Sequence, residues 1–194
     1  VTIMGYNVLT AREDGNPKAL SIFEASLEEQ SGQYGYWHTR RPRVSAAIGH
    51  ADVAGLCEVT AHMLEDILHD NPHLRKGAFV PKRGSYDGSA VLVNSTRCTV
   101  LSTVASPIQH QHPQVFLACL IRDRITKQEW WQVVLHLKAD KAGAHMGMEG
   151  RRVCEAAIVR KKISGLSPSR PVVIVGDLNS DRLEYQSFEE RRIP

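Results

Sequence analysis

Six short apolar runs limit what this chain can become: VTIMGYNVL (1–9), ADVAGLCEV (51–59), SAVLVN (89–94), VFLACLIRD (115–123), WWQVVLHL (130–137) and PVVIVGDL (171–178). Several are rich in Val, Ile and Leu, and turn signals such as YDGS (86–89) and SPSRP (167–171) bound them, so they read as sheet strands. Helical spacing lies between some of them. RPRVSAAIGH (41–50) places apolar residues ahead of the second strand, TAHMLEDILHD (60–70) carries Met63, Ile67 and Leu68, and GRRVCEAAIVRKKISGL (150–166) carries Val153, Ala157 and Ile158. The last gathers basic residues at its C-terminal end just before Gly165, which is how a helix stops. The order β, α, β, α, several strands without a helix, then α and β predicts packed sheets covered by helices rather than a regular doubly wound sheet.

The 194 residues, 42% hydrophobic and 23% charged, suit one globular domain spanning 1–194, and no linker divides them. A formal net charge of +3 permits an anionic substrate without demanding one. Cys57, Cys98, Cys119 and Cys154 show no CxxC spacing and sit in apolar contexts, which predicts buried thiols in a reducing, intracellular compartment rather than disulfides or a zinc site. No apolar run approaches the ~20 residues of a membrane span. The chain opens at Val1, without a methionine and already inside a strand-like run, which predicts an upstream segment removed or left out.

Chemistry concentrates at strand ends. GYNVL delivers Asn7, LCEV delivers Glu58, LHLK delivers His136 and Lys138, and GDLNS delivers Asp177 and Asn179. A strand fixes a side chain's position while the loop after it gives access, so ligands gather there in α/β proteins. Carboxylate and amide oxygens suit Mg²⁺ or Mn²⁺ rather than zinc. Taken singly each residue has a plainer role: an Asn in a strand-end turn satisfies backbone groups, and a histidine between Leu135 and Leu137 belongs to a core. Glu58 is the exception, because a carboxylate directly after VAGLC is costly to bury without a partner.

In this order the set resembles the endonuclease/exonuclease/phosphatase superfamily, and within it the branch of nocturnin, the Angel proteins and the Ccr4-type deadenylases. The matching stretches are YNVL (6–9), WHTRRPRVSAAI leading into ADVAGLCEV (37–59), FVPKRG (79–84), YDGSAVLVN (86–94), LHLKAD (135–140), EGRR (149–152) and PVVIVGDLNS (171–180). GDLNS alone identifies only the superfamily; HLKA and YDGSA are more specific to the branch. The resemblance implies an α+β fold, a four-layer α/β/β/α sandwich of two mainly antiparallel sheets (DNase I-like), with a metal-dependent phosphoric ester hydrolase site at one end of the sheets. It assigns Glu58 as the principal Mg²⁺ (or Mn²⁺) ligand with Asn7 close by, Asp177 to orient or deprotonate the attacking water, Asn179 to hold the phosphate or that water, and His136 to hydrogen-bond a phosphate oxygen. Lys82, Lys138 and Arg151 or Arg152 would supply charge to further phosphates. The implied partners are RNA or an adenine nucleotide: poly(A) 3′ ends, 2′,5′-oligoadenylate or the 2′-phosphate of NADP(H).

Some positions depart from the pattern. Relatives continue beyond GDLNS to an Asp on a late strand and a Ser-Asp-His segment, and neither occurs in 1–194. The expectation is therefore a domain whose C-terminal part is missing, either a piece of a longer enzyme or a catalytically degenerate relative serving as a structural or RNA-binding subunit of a ribonucleoprotein assembly. Sheet edges left open by the missing strands would need covering by a protein or nucleic acid partner. Cys57 stands where Gln precedes the metal-binding Glu, and Leu178 stands where Phe is usual. YDGS reads as a turn with Asp87 near the site and Gly88 free to take φ > 0. Trp37 and Arg40 read as packing residues, and of Trp130 and Trp131 one faces the core while the other is free to stack on a base.

Overall fold

The computed structural model describes residues 1–8, 37–109, 113–138, 149–166 and 169–179. Its elements are β1 (Ile3–Asn7), α1 (Trp37–Gly49), β2 (Val53–Thr60), α2 (Ala61–Asp70), β3 (Leu74–Pro81), β4 (Asp87–Asn94), β5 (Cys98–Pro107), β6 (Val115–Asp123), β7 (Glu129–His136), α3 (Glu149–Ser164) and β8 (Val172–Asp177). One sheet has the order β1-β2-β4-β3 and the other β5-β6-β7-β8. Among the described residues β1 runs parallel to β2 and β7 parallel to β8, and the other neighbours are antiparallel. The outer strands are therefore β1, β3, β5 and β8. None of the described helices is long and apolar enough to cross a membrane.

Three cores make four layers. Val44 and Ile48 of α1 and Met63 and Ile67 of α2 pack on Leu56 and Leu92, the outer face of the first sheet. Val53, Cys57 and Val91 meet Leu117, Cys119 and Val134 between the sheets. Val159 of α3 joins Phe116, Trp131 and Leu135 on the outer face of the second. β2, β4, β6 and β7 are thus covered on both faces, which explains why their apolar residues follow one another instead of alternating with polar ones. Each fully buried Val, Leu or Ile contributes about 1.5–3 kcal/mol, so these central strands dominate the stability of the sandwich.

The two sheets approach most closely where the parallel pairs face each other. Gly5 and Gly55 are register partners on β1 and β2. A Cβ on Gly5 would lie 2.8 Å from Val175 Cβ; one on Gly55 would lie 2.4 Å from Val175 Cγ2 and 2.8 Å from Val134 Cγ2. Missing side chains on one sheet therefore admit β-branched ones from the other.

Helix α2 starts on the last residue of β2. Thr60 is its N-cap, with a side chain that accepts from Met63 N at 3.2 Å. Arg41 of α1 ties the two helices together, donating to Asp66 Oδ1 at 2.5 Å and to both oxygens of Asp70 at 2.7 and 2.8 Å. Ser45 adds a bond to Asp70 at 2.8 Å, and Trp37 Nε1 donates to Asp66 at 2.7 Å. Arg40 lies 6.0 Å from the Trp37 ring and donates to Val8 O, so this pair packs the helix on the end of β1.

Sequence expectations failed in places with a common cause. β3 and β5 were not anticipated, because outer strands exposed along much of their length carry Arg75, Lys76, Ser102 and Thr103 instead of an apolar run, a composition that also discourages edge pairing. Asp87 and Gly88 open β4; the turn precedes them, with Gly84 at φ 70°. Trp130 and Trp131 are both buried, in different cores, which removes the stacking role. Cys154 is exposed whereas the other three cysteines are buried. On α3 the expected face fails: Val153 is 39% exposed, and Arg152, Glu155 and Val159 point inward.

Gly55→Ala should lower the unfolding free energy by about 1–3 kcal/mol through overpacking, read from the midpoint of a urea transition. Acid unfolding offers a second check. The hydrogen bonds from Arg41 hold the Asp70 carboxyl well below the usual carboxylate range. A depressed folded pKa contributes stability that is present above the unfolded value of ~3.9 and lost as pH falls toward the folded one. Asp70→Asn should therefore flatten the fall in stability below about pH 4 while the wild-type chain keeps it.

Candidate active site

Parallel pairing brings the C-terminal ends of β1, β2, β7 and β8 to one end of the sandwich. Asn7 is the register partner of Cys57, and His136 that of Asp177. Glu58 reaches the group by an irregularity. Ala54 and Leu56 face the helices while Val53 and Cys57 face the other sheet, yet Val59 faces the helices again. The pairing with β4 shifts between Cys57 and Val59, and Glu58 takes φ 53°. Glu58 is thus the extra residue of a bulge, belonging to neither face and aimed off the end of the sheet. Such a backbone costs about 1–3 kcal/mol in a residue with a Cβ and persists only where the surroundings impose it. The flanking β4 pairs and the immediate start of α2 impose it here.

Asn7 links the two carboxylates. Its Nδ2 donates to Glu58 Oε1 at 3.0 Å and to Asp177 Oδ2 at 2.8 Å. The other oxygen of Asp177 accepts from Asn179 N at 2.8 Å, an Asx turn in which Asn179 takes φ 50° and its own amide donates to Leu137 O at 2.7 Å. Both oxygens of Asp177 are held, one from each sheet. His136 Nε2 lies 3.5 Å from Glu58 Oε1, and His136 Nδ1 is buried without a hydrogen-bond partner. Burial lowers the His136 pKa and Lys82 adds to this, against the pull of Glu58, Asp177 and Asp87; the ring is neutral at pH 7. One ligand atom each from Glu58, His136 and Asp177 lie within 4.8 Å of one another.

The cationic residues divide. Lys82 pairs with Asp87, which also accepts from Ser85, and its charge acts on His136, so it borders the group. Lys138 follows β7 with its backbone N donating to Glu155 Oε2 at 3.0 Å. Arg152 donates to Lys138 O at 3.5 Å, and Arg151 Nε lies 3.5 Å from Glu155 Oε1. Arg152 thus meets the loop behind the site, and Arg151 meets Glu155 on its own helix.

Glu155 escaped the sequence reading. It is fully buried and anchors the loop that carries Lys138 directly after His136. The signal was the spacing 152, 155, 159, which is one helix face, but two of its three members are charged and apolar periodicity passes over them. Cys57, seen only as a departure, donates its thiol to Leu135 O at 3.1 Å across the sheets. Burial pushes its pKa up to about 11, so it stays a neutral thiol.

The family model described as Endonuclease/Exonuclease/phosphatase family matches residues 4–192. Among curated proteins none matches by sequence at a significant level. Solved structures share the fold. A mannosyl-6-phosphatase from Bacteroides thetaiotaomicron superposes with a TM-score of 0.74 at 18% identity, over 98% of this chain and 70% of its own. The human Nocturnin catalytic domain with bound sulfate anion gives 0.70 at 18% identity, over 99% of this chain and 69% of its own. ANGEL2, a 2′,3′-cyclic phosphatase, gives 0.69 at 19% identity, over 93% of this chain and 53% of its own.

Glu155→Ala removes the buried acceptor of the part-buried Lys138 N–H and should cost about 1–3 kcal/mol in unfolding free energy, whereas Glu155→Gln keeps an acceptor and should recover most of it. Chemical denaturation of the two variants side by side reads the difference.

Proposed function

The chain belongs to the endonuclease/exonuclease/phosphatase family, and we propose that it is a divalent-metal-dependent phosphoric ester hydrolase of the nocturnin/Angel/Ccr4-type branch, a single domain over 1–194 that acts on adenylate-containing substrates. The observation that carries this reading is the convergence of Asn7, Glu58, His136 and Asp177, four residues from four strands and two sheets, at one end of the sandwich. Like charges so close are tolerated where something positive or donating lies between them, and Asn7 supplies only one such group.

The donor set fits a hard cation. It comprises two carboxylates and one imidazole, and the nearby Cys57 is no thiolate. Glu58, with Asn7 beside it and Asp177 and His136 in reach, would hold Mg²⁺ or Mn²⁺. When bound, such an ion neutralises charge on the phosphoryl oxygens as a Lewis acid.

The remaining steps belong to the chain. Asp177, fixed by Asn7 and by Asn179 N, presents a rigid carboxylate that orients a water for in-line attack and takes its proton. Asn179 keeps its amide on Leu137 O, which leaves its side-chain oxygen for that water. His136, neutral and desolvated, donates a hydrogen bond to a phosphoryl oxygen without adding a charge that would have to be removed from water. Lys82 and Lys138, and beyond them Arg151 or Arg152, attract the other phosphates of the substrate. Relatives of this fold named for a sugar phosphate and for a 2′,3′-cyclic phosphate show that the scaffold does not choose the ester. The adenylate assignment rests on the HLKA and YDGSA stretches.

Poly(A) RNA, 2′,5′-oligoadenylate and NADPH incubated with the purified chain should release product with Mg²⁺ or Mn²⁺ and none after chelation by EDTA. Glu58→Ala and Asp177→Ala should each lower kcat/KM by about 10²-fold or more. No release from any of the three, with Asp177→Ala indistinguishable from wild type, overturns the hydrolase reading; retained RNA binding in that case identifies a catalytically degenerate, RNA-binding subunit.

A further inference from the structure

We infer that the outer strands β3 and β5 form a second anion site, separate from the metal-binding end, that holds the phosphodiester backbone of a single-stranded nucleic acid. The two strands are the stacked edges of the two sheets, and between them lies an open groove of about 570 Å³. Arg75, Lys76 and Arg124 line it, together with the hydroxyls of Ser95, Thr99, Ser102 and Thr103.

Charge distinguishes this groove. Several arginines elsewhere are matched to carboxylates: Arg41 to Asp66 and Asp70, Arg97 to Asp123, Arg122 and Arg170 to Glu129. Arg75 and Arg124 donate only to backbone carbonyls, of Pro72 and Leu74 and of Cys98, and Lys76 has no partner among the described residues. The carboxylates that act on Cys98 in the groove, half-buried Asp52 and buried Asp123, are both turned to other donors. Asp52 accepts from Thr2 N and Asn94, and Asp123 from Arg97, Ile125 N and Thr126. Three cations without a carboxylate contact, with interleaved hydroxyls in a concave strip, are the donor set that phosphate oxygens take up.

Backbone geometry chooses nucleic acid over an added strand. β3 loses register between Lys76 and Ala78, and β5 between Val100 and Ser102. Both bulges lie in the groove, where they break the ladder that a peptide strand would need. Gly77, the extra residue of the first, lets the edges close: a Cβ there would lie 2.8 Å from Val100 Cγ2. The groove is also remote from the candidate metal ligands. Arg75 pairs with Val93, which pairs with Val53 at the start of β2, whereas Glu58 lies at its end. A strand held here would act as an anchor for a long substrate without touching the reacting phosphate.

Fluorescence anisotropy of the full chain with a labelled single-stranded oligoadenylate, in EDTA so that no turnover occurs, tests this apart from the hydrolase reading. Lys76→Glu breaks no described contact and should weaken binding several-fold. Arg75→Glu/Lys76→Glu/Arg124→Glu should weaken it at least tenfold and reduce the slope of log affinity against log salt by about 2, as loss of three phosphate contacts on a single strand predicts. Hydrolysis of a mononucleotide substrate by Lys76→Glu should equal wild type. Unchanged affinity and slope in both variants overturns the site, as does displacement of the oligonucleotide by polyglutamate as readily as by polyphosphate. Competition by inorganic phosphate only far above the oligonucleotide's concentration supports a polymer ligand over a free anion; equal competition on a molar basis overturns it.

Discussion

The close approach of the two sheets over the parallel pairs β1/β2 and β7/β8 is the constraint from which the site follows. Gly5 and Gly55 leave a shallow patch on one sheet, and Val134 and Val175 of the other fill it. With the sheets so near, strand ends from both can meet over distances that side chains as short as Asn and Asp can span. Asn7 reaches Asp177 across the gap at 2.8 Å, and Cys57 reaches Leu135 O at 3.1 Å. A bulkier interface would leave the same residues present and apart.

Within that frame the polar groups are held by complementary means. A bulge turns Glu58 off the sheet, an Asx turn fixes Asp177, and burial keeps His136 neutral. The loop behind them rests on Glu155, a buried carboxylate on the inward face of α3. Each device sits at the end of a strand whose body is apolar and covered, so the rigidity of the core is passed to the site. The opposite edge follows the reverse logic: β3 and β5 are outer strands, bulged and cationic, and present charge rather than shape.

Much of this was legible before any coordinates. The central strands β2, β4, β6 and β7 announced themselves because burial on both faces leaves consecutive apolar residues in the sequence. α2 did so through Met63 and Ile67. Misreadings fell where exposure and chemistry override pattern. β3 and β5 carry too many polar residues to look like strands, and α3 buries Arg152 and Glu155 while exposing Val153. Periodicity detects apolar faces, so a face stabilised by buried charge and backbone contacts is invisible to it.

The sequence by itself determined the layered fold and marked Asn7, Glu58, His136, Asp177 and Asn179 as polar residues at or just beyond strand ends, because strand formation and the polar residue that follows an apolar run are local properties of short segments. Only the tertiary structure decided that Asn7 bridges Glu58 and Asp177, that Lys82 answers to Asp87, and that Arg75, Lys76 and Arg124 share one groove. Those relations join residues far apart in the chain. They depend on sheet order, on the bulges that break register and on which glycines let two sheets touch, none of which is encoded within a single segment.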